Sequence, residues 1–230
     1  MMNTKTLSIL LIGFSLLAGC ASPTASAPPT QSQFVTATPT LFIATGITPG
    51  ALTGIPNLTL TPVVRNPNVC ADTQVTALID SLKSAVLTSD GPLLSALVSP
   101  QRGMDVGYFR DGTVINYKPE HAKFLFETTF EVNWGTEPGS GAEKIGSFHD
   151  VVVPELVKAF NQPYTRHCNE LKHGGATYDL VWPYEGDFYS VYFPGLEANG
   201  FLDWHTWVVG VEYVNNKPLI YALLRFFWEP

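Results

Sequence analysis

Hydrophobic spacing changes character several times along the chain. Residues 7–17 form an apolar run relieved only by Ser8, Gly13 and Ser15. In a helix they would cover about 16 Å at ~1.5 Å per residue, roughly half a bilayer core and too little for a permanent span. Between residues 21 and 66 no apolar period persists. A helical period then sets in, with Val75, Leu78, Ile79, Leu82 and Val86 on one face and Asp72 placed to cap it. Asp90-Gly91-Pro92 breaks that helix and restarts a shorter one through Leu93, Leu94, Leu97 and Val98, ended by Ser99-Pro100. Residues 104–109 and 113–117 flank Asp111-Gly112, which predicts a hairpin. Pro119 suits the first turn of a third helix through Ala122, Phe124, Leu125 and Phe126. The Gly- and Pro-rich stretch 135–146 reads as a loop, and another helix begins near Asp150 with Pro154 in its first turn.

Over the last fifty residues the period falls to two, the spacing of strands. Residues 188–193 form one, closed by Pro194-Gly195. Residues 204–214 and 218–228 form a hairpin about Asn215-Asn216, two residues that tolerate positive φ. A two-residue turn there sets Val214 opposite Lys217 and fixes the register outward. One face then carries Asp203, His205, Trp207, Val209, Val211 and Tyr213 opposite Trp228, Phe226, Leu224, Ala222, Ile220 and Pro218. That face is apolar for most of its length and needs cover, while the other, with Trp204, Thr206, Glu212 and Arg225, is mixed. The expected class is α+β: N-terminal helices packed on a twisted antiparallel sheet.

Helix 72–88, Asp90-Gly91-Pro92-Leu93-Leu94, Leu97-Val98, the first hairpin and the third helix together resemble the opening of the NTF2-like (cystatin-like, SnoaL-like) superfamily. The resemblance covers about residues 75–130 and the final hairpin. It implies a sheet curled around helices into a cone with a pocket, a fold used by dehydratases and isomerases and also by many non-catalytic domains. Residues 135–185 depart from that family's course, and no catalytic residue is carried over.

The N-terminus fixes the expected address. Lys5 and the free amino group precede the apolar run, and Ala18 and Gly19 follow it, as in a secretory signal. Leu17-Ala18-Gly19-Cys20 resembles the lipobox of bacterial lipoproteins. The resemblance implies removal of residues 1–19, a diacylglycerol thioether on Cys20, and two acyl chains (palmitate-type anchoring) that satisfy the two-signal requirement for stable membrane attachment. Residues 20–66 then form a tether: ten Thr, seven Pro and one charged residue, Arg65, between 21 and 66 cannot offset their ordering entropy by burial. Residues 67–230 remain as one α+β domain. It holds all twenty acidic residues against eleven basic ones, a net charge of −9, which disfavours nucleic acid and anionic headgroups. With Cys20 acylated, Cys70 and Cys168 are left as an even pair, either a disulfide or two buried thiols.

Chemistry is sparse. No His-Glu-x-x-His or Cys-x-x-Cys occurs, and His167, Cys168 and His173 are the nearest approach to a metal set, so neither metal nor cofactor is expected. Gly139-Ser140-Gly141 lacks the frame of a phosphate loop or hydrolase elbow. Asp203 and His205 alternate onto one strand face beside aromatic residues and are the candidate acid/base pair, set against the plainer reading that both sit where that face meets water. Half of the twenty-eight aromatic residues lie between 182 and 228, and Trp182, Tyr184 and Trp204 are candidates for stacking on a sugar or peptide, set against ordinary core packing. These features give three expectations: an extracytoplasmic, lipid-anchored binding or interaction module whose partner is a small molecule, glycan or envelope protein; an NTF2-like lyase or isomerase using Asp203 and His205; or a structural envelope component. Replacement of Cys20 (Cys20→Ala) is expected to move the protein from the membrane to the soluble extracytoplasmic or medium fraction on cell fractionation, and unchanged membrane association would refute the anchor.

Overall fold

The computed structural model describes residues 68–230; Cys20 and the tether lie outside the described residues. The opening helix forms as its period requires: α1 spans Thr73–Thr88, its Asp72 cap accepts from the backbone of Gln74, and Val75, Leu78, Ile79, Leu82 and Val86 are buried. Asp90 caps the shorter α2, Gly91–Leu97. β1 (Met104–Gly107) and β2 (Val114–Tyr117) pair as a hairpin, with Gly107 opposite Val114. Asp111-Gly112 therefore lies inside a six-residue connection instead of forming a two-residue turn.

α3 is a single turn, Pro119–Ala122, shorter than expected. Phe124, Leu125 and Phe126 are consecutive, and no helix places three consecutive residues on one face; irregular turns after Ala122 bury Leu125 and Phe126 and leave Phe124 outside. The stretch 135–146 read as a loop is the turn and adjoining strand ends of a two-stranded sheet, β3 (Glu131–Thr136) with β4 (Glu143–Ser147), and Gly139-Ser140-Gly141 belongs to its turn. Trp134 is fully buried on β3 and donates to the Gly146 carbonyl at 3.0 Å. A π turn, Phe148–Val152, leads into α4, Val153–Asn161, with Pro154 in the first turn.

The remaining strands are β5 (Thr165–Cys168), which the sequence pattern did not disclose, β6 (Asp187–Phe193), β7 (His205–Val214) and β8 (Lys217–Phe227). Among the described residues they join β1 and β2 in a six-stranded sheet in the order β2-β1-β8-β7-β6-β5. Its pairs are antiparallel except β1 with β8, which run parallel. The architecture is α+β, with the helices over one face of an antiparallel-rich sheet.

The final hairpin turns at Asn215-Asn216, both at positive φ, and begins in the expected register from Val214 opposite Lys217 to Val211 opposite Ile220. There a bulge intervenes. Gly210 pairs with Ala222, so Tyr221 is the extra residue, and every later partner is shifted by one. A Cβ on Gly210 would collide with the Tyr221 ring and the Ala222 side chain, so only glycine fits opposite the bulge. Beyond it the faces of β8 are exchanged relative to expectation. Leu223 joins Trp207, Val209, Val211 and Ile220 in the helix-side core, while Leu224 and Phe226 pass to the opposite face with Val208, Trp204 and Phe188.

That second face is also buried, where a mixed surface was expected. The irregular segment 169–185 covers it with Leu171, Ala176, Leu180, Trp182 and Tyr184. Buried hydroxyls of the sheet hold the cover down: Ser190 donates to the Glu170 carbonyl at 2.6 Å and Thr206 to that of Lys172 at 2.6 Å. Gly174 lies so close to the Trp204 indole that any side chain there would clash.

Cys70 and Cys168 are joined by a disulfide with their Cα atoms 5.5 Å apart, tying the entry to α1 onto β5 across 98 residues. Closing so long a loop stabilises the fold by about 4–5 kcal/mol on the chain-entropy model. The double variant Cys70→Ser/Cys168→Ser is expected to lose stability of that order, read as a lower urea midpoint. Thiol titration of the unfolded, unreduced wild-type domain should find neither cysteine free.

Candidate functional site

Strand alternation does not unite Asp203 and His205, because Asp203 lies in the turn before β7 and only His205 is in the strand. The Asp203 carboxylate accepts from the Leu196 N–H and the Asn199 side-chain amide, both at 2.8 Å, and closes the 196–203 turn. These bonds, the Leu196 N–H first, hold its carboxyl below the usual range. His205 is 3% exposed and lies against the Phe193 ring. Its Nδ1 meets the Asp203 backbone carbonyl at 3.3 Å, which assigns the ring proton to Nδ1 and leaves Nε2 a buried acceptor without a partner.

The neighbouring interior is polar but filled. Arg225, paired with Trp207 across the hairpin, donates to Glu155 of α4 at 2.8 Å. Its guanidinium lies 4.6 Å from the Tyr108 ring centre and 4.1 Å from that of Phe227. Trp207 Nε1 and Arg225 Nε are buried without hydrogen-bond partners. Trp207, Ile220 and Leu223 pack against α1 and α4 at zero to 1% exposure. The helix-side face of the sheet is thus a packed core at this position.

The three stacking candidates are turned inward. Trp204 is 1% exposed and donates to the Gly175 carbonyl at 2.9 Å. Trp182 lies on Phe188 with ring centres 4.8 Å apart and donates to the Gly186 carbonyl. Tyr184 donates to Asp105 at 2.9 Å and meets Tyr221 edge-on. Trp182 and Tyr184 build the cover of the second core, and Trp204 belongs to the core beneath it. Cys168 is held in the disulfide, and the two ring nitrogens of His167 meet Thr165 and Glu170. Among the described residues no group of three His, Cys, Asp or Glu side chains is arranged to hold a metal ion.

Exposed aromatic surface occurs elsewhere, where the sequence pattern did not direct attention. Phe130 is 75% and Phe124 49% exposed. They flank a groove of about 400 Å³ whose floor is Ile115, Tyr117 and Leu125, with His121 at its wall. A wider depression that shares the same two rings is lined also by Glu127 and Glu131. α2 sets the position of this ridge: Gly91 lets the Lys123 carbonyl approach so closely that a Cβ would overlap it. β2 forms the sheet edge beside the groove, and its four residues, Val114, Ile115, Asn116 and Tyr117, carry no charge. The signal available in the sequence was the run Phe124-Leu125-Phe126, whose members cannot all face one core.

No family model matches the sequence, and no curated protein matches it. Among solved structures the chain is similar to an NTF-2 like protein of unknown function from Silicibacter pomeroyi DSS-3, at 10% identity over 67% of this chain and 93% of that one, with a TM-score of 0.30. An NTF2-like protein of unknown function from Shewanella baltica OS155 gives 6% identity over 72% and 100%, also at 0.30. A de novo designed protein with a curved β-sheet gives 10% over 67% and 97%, again at 0.30.

Burial lowers the His205 pKa from 6.5 to about 4; the cationic Lys158 and Arg225 act in the same direction, while the Asp203 carbonyl and Glu155 oppose it. Between those pH values the unfolded chain binds a proton that the folded chain does not. This contribution to stability is therefore complete above about pH 6.5 and is lost as the pH falls toward 4. A displacement of that size corresponds to roughly 3 kcal/mol. The stability difference between pH 7 and pH 4.5 is expected to be smaller by roughly 2–3 kcal/mol in His205→Gln than in the wild type, measured from denaturant midpoints. Equal pH dependence would show that the imidazole is not buried neutral.

Proposed function

We propose that this chain is a lipid-anchored extracytoplasmic lipoprotein whose single NTF2-like α+β domain is a binding module, held off the membrane by the Thr/Pro-rich tether. Support for the anchor is the Leu17-Ala18-Gly19-Cys20 motif after its apolar run. One observation carries the binding role: Phe130 at 75% and Phe124 at 49% exposure flank an apolar groove, whereas Phe201, 53% exposed, lines none of the pockets found among the described residues. An exposed aromatic ridge leaves favourable burial unrealised until a partner covers it.

The enzymatic alternative, a lyase or isomerase working on a small apolar substrate, requires an accessible imidazole paired with a carboxylate. His205 is enclosed, and the Asp203 carboxylate is engaged with Leu196 and Asn199. A purely structural envelope component gives no reason for the exposed ridge. Photo-crosslinking of the full-length chain in its own envelope is the test. A crosslinker at position 130 is expected to give a discrete adduct that is lost in Phe124→Ser, while one at the equally apolar, exposed position 202 gives none. Identical patterns at both positions would remove the ridge as a binding surface.

A further inference from the structure

We propose that the groove takes an extended segment of a partner protein that adds to the sheet as a strand beside β2 and carries an apolar residue with a basic residue two positions along. The proposal rests on the binding reading above and specifies its ligand. Three observations on one surface support it. β2 is an edge: β1 lies on one side, and among the described residues no strand lies on the other. Edge strands are blunted by shortness, a lysine, a proline or an inward charge; β2 is short, at four residues, but Val114-Ile115-Asn116-Tyr117 carries no lysine, proline or charge. An unblocked edge offers main-chain hydrogen bonds, and pockets beside it select alternate side chains of the added strand.

The side-chain specificity follows from the two depressions that share the Phe124–Phe130 ridge. The groove over Ile115, Tyr117 and Leu125 fits an apolar side chain. The adjoining depression has Glu127 and Glu131 as its only charged lining, and neither makes an ion pair among the described residues. The cations nearby are otherwise placed: Lys118 donates to the Gln101 carbonyl at 3.0 Å, and Lys123 lies over the Phe124 ring at 4.6 Å. An incoming Lys or Arg side chain would complement the two carboxylates. In an extended strand, residues two apart share a face, so the apolar and basic groups must follow that spacing. A second copy of this chain is the poorer fit, since both copies would bring Glu127, Glu131 and a domain charge of −9 to the contact.

The test is fluorescence anisotropy with the full mature chain in detergent and four labelled peptides. The first is Thr-Val-Thr-Leu-Thr-Arg-Thr-Val; the second replaces Arg by Glu; the third and fourth are N-methylated at alternate residues in the two possible frames. Saturable binding of the first is expected, about tenfold weaker for the Glu peptide and steeply salt-dependent. One N-methylated frame should lose binding and the other keep it, because only one frame points its N–H groups at β2. Phe130→Ser should abolish binding while leaving the thermal midpoint unchanged, since that ring is 75% exposed. Equal affinity of the Arg and Glu peptides, or indifference to both N-methylations, would overturn the proposal.

If no peptide binds while the position-130 adduct forms, the strand-addition reading falls and the binding surface stands; if neither occurs, both fall. Concentration-dependent dimerisation in sedimentation, lost in Phe130→Ser, would instead assign the ridge to a second copy and refute the peptide.

Discussion

The fold depends on one irregularity in its central hairpin. At Gly210 the β7 strand has no side chain, and Tyr221 and Ala222 of β8 both crowd into the space opposite. The extra residue reverses the facing of everything on β8 that follows it. Without the bulge, Trp207, Leu224 and Phe226 would share one face, and beyond Tyr221 the other face of β8 would carry Leu223, Arg225 and Phe227. With it, large apolar side chains populate both faces. A sheet that is apolar on both sides must be covered on both sides, because each fully buried Leu or Phe side chain stabilises by about 1.5–3 kcal/mol relative to exposure. The helices supply one cover, and the irregular segment 169–185 supplies the other.

The covers differ in how they are held. α1, α2 and α4 pack by side-chain volume and are fixed at the α1 entrance by the disulfide, by Tyr213 donating to Asp72 and by Tyr189 donating to the Val69 carbonyl. Segment 169–185 has no helix or strand of its own, so its backbone groups need partners elsewhere. Ser190, Thr206 and Trp204 provide them from the sheet. Of the residues that made this face look mixed, Thr206 and Trp204 are fasteners of its cover, while Arg225 has crossed to the helix side and Glu212 meets Ser99 and Arg102. The same two-sided burial explains the chemistry of the interior. Arg225 crosses to the helix side at the bulge, where it is enclosed and neutralised by Glu155, and His205 is enclosed beside it in its neutral form. A buried pair of this kind contributes little to net stability, although removing one partner would leave a strongly unfavourable lone charge.

With its interior filled, the domain's unsatisfied surface lies at its rim. β2 ends the sheet after four uncharged residues, and the turn after α3 carries Phe124 outward past the last residue that the core can take. Apolar groove, acidic depression and open strand edge lie together there because Gly91 allows α2 and the post-α3 turn to approach.

Local rules were sufficient for much of this chain. Asp72 and Asp90 as caps, the apolar face of α1, Pro154 in the first turn of α4 and the Asn215-Asn216 hairpin each depend on interactions within a few residues, and each was legible in the sequence. Strand β5, the β3–β4 hairpin and the parallel β1–β8 pair were not, because short strands with few buried positions show no clear period and parallel pairing joins residues more than one hundred positions apart. The sequence by itself determined the class, α+β with helices leading, and the acidic character of the domain. Only the tertiary structure decided which face each β8 residue takes, that Asp203 serves a turn instead of an imidazole, that Trp182, Tyr184 and Trp204 are walls, and that Phe124 and Phe130 are left outside. The physical reason is that a one-residue bulge inverts a strand's facing without altering its period, and burial depends on what the folded chain brings to cover each face.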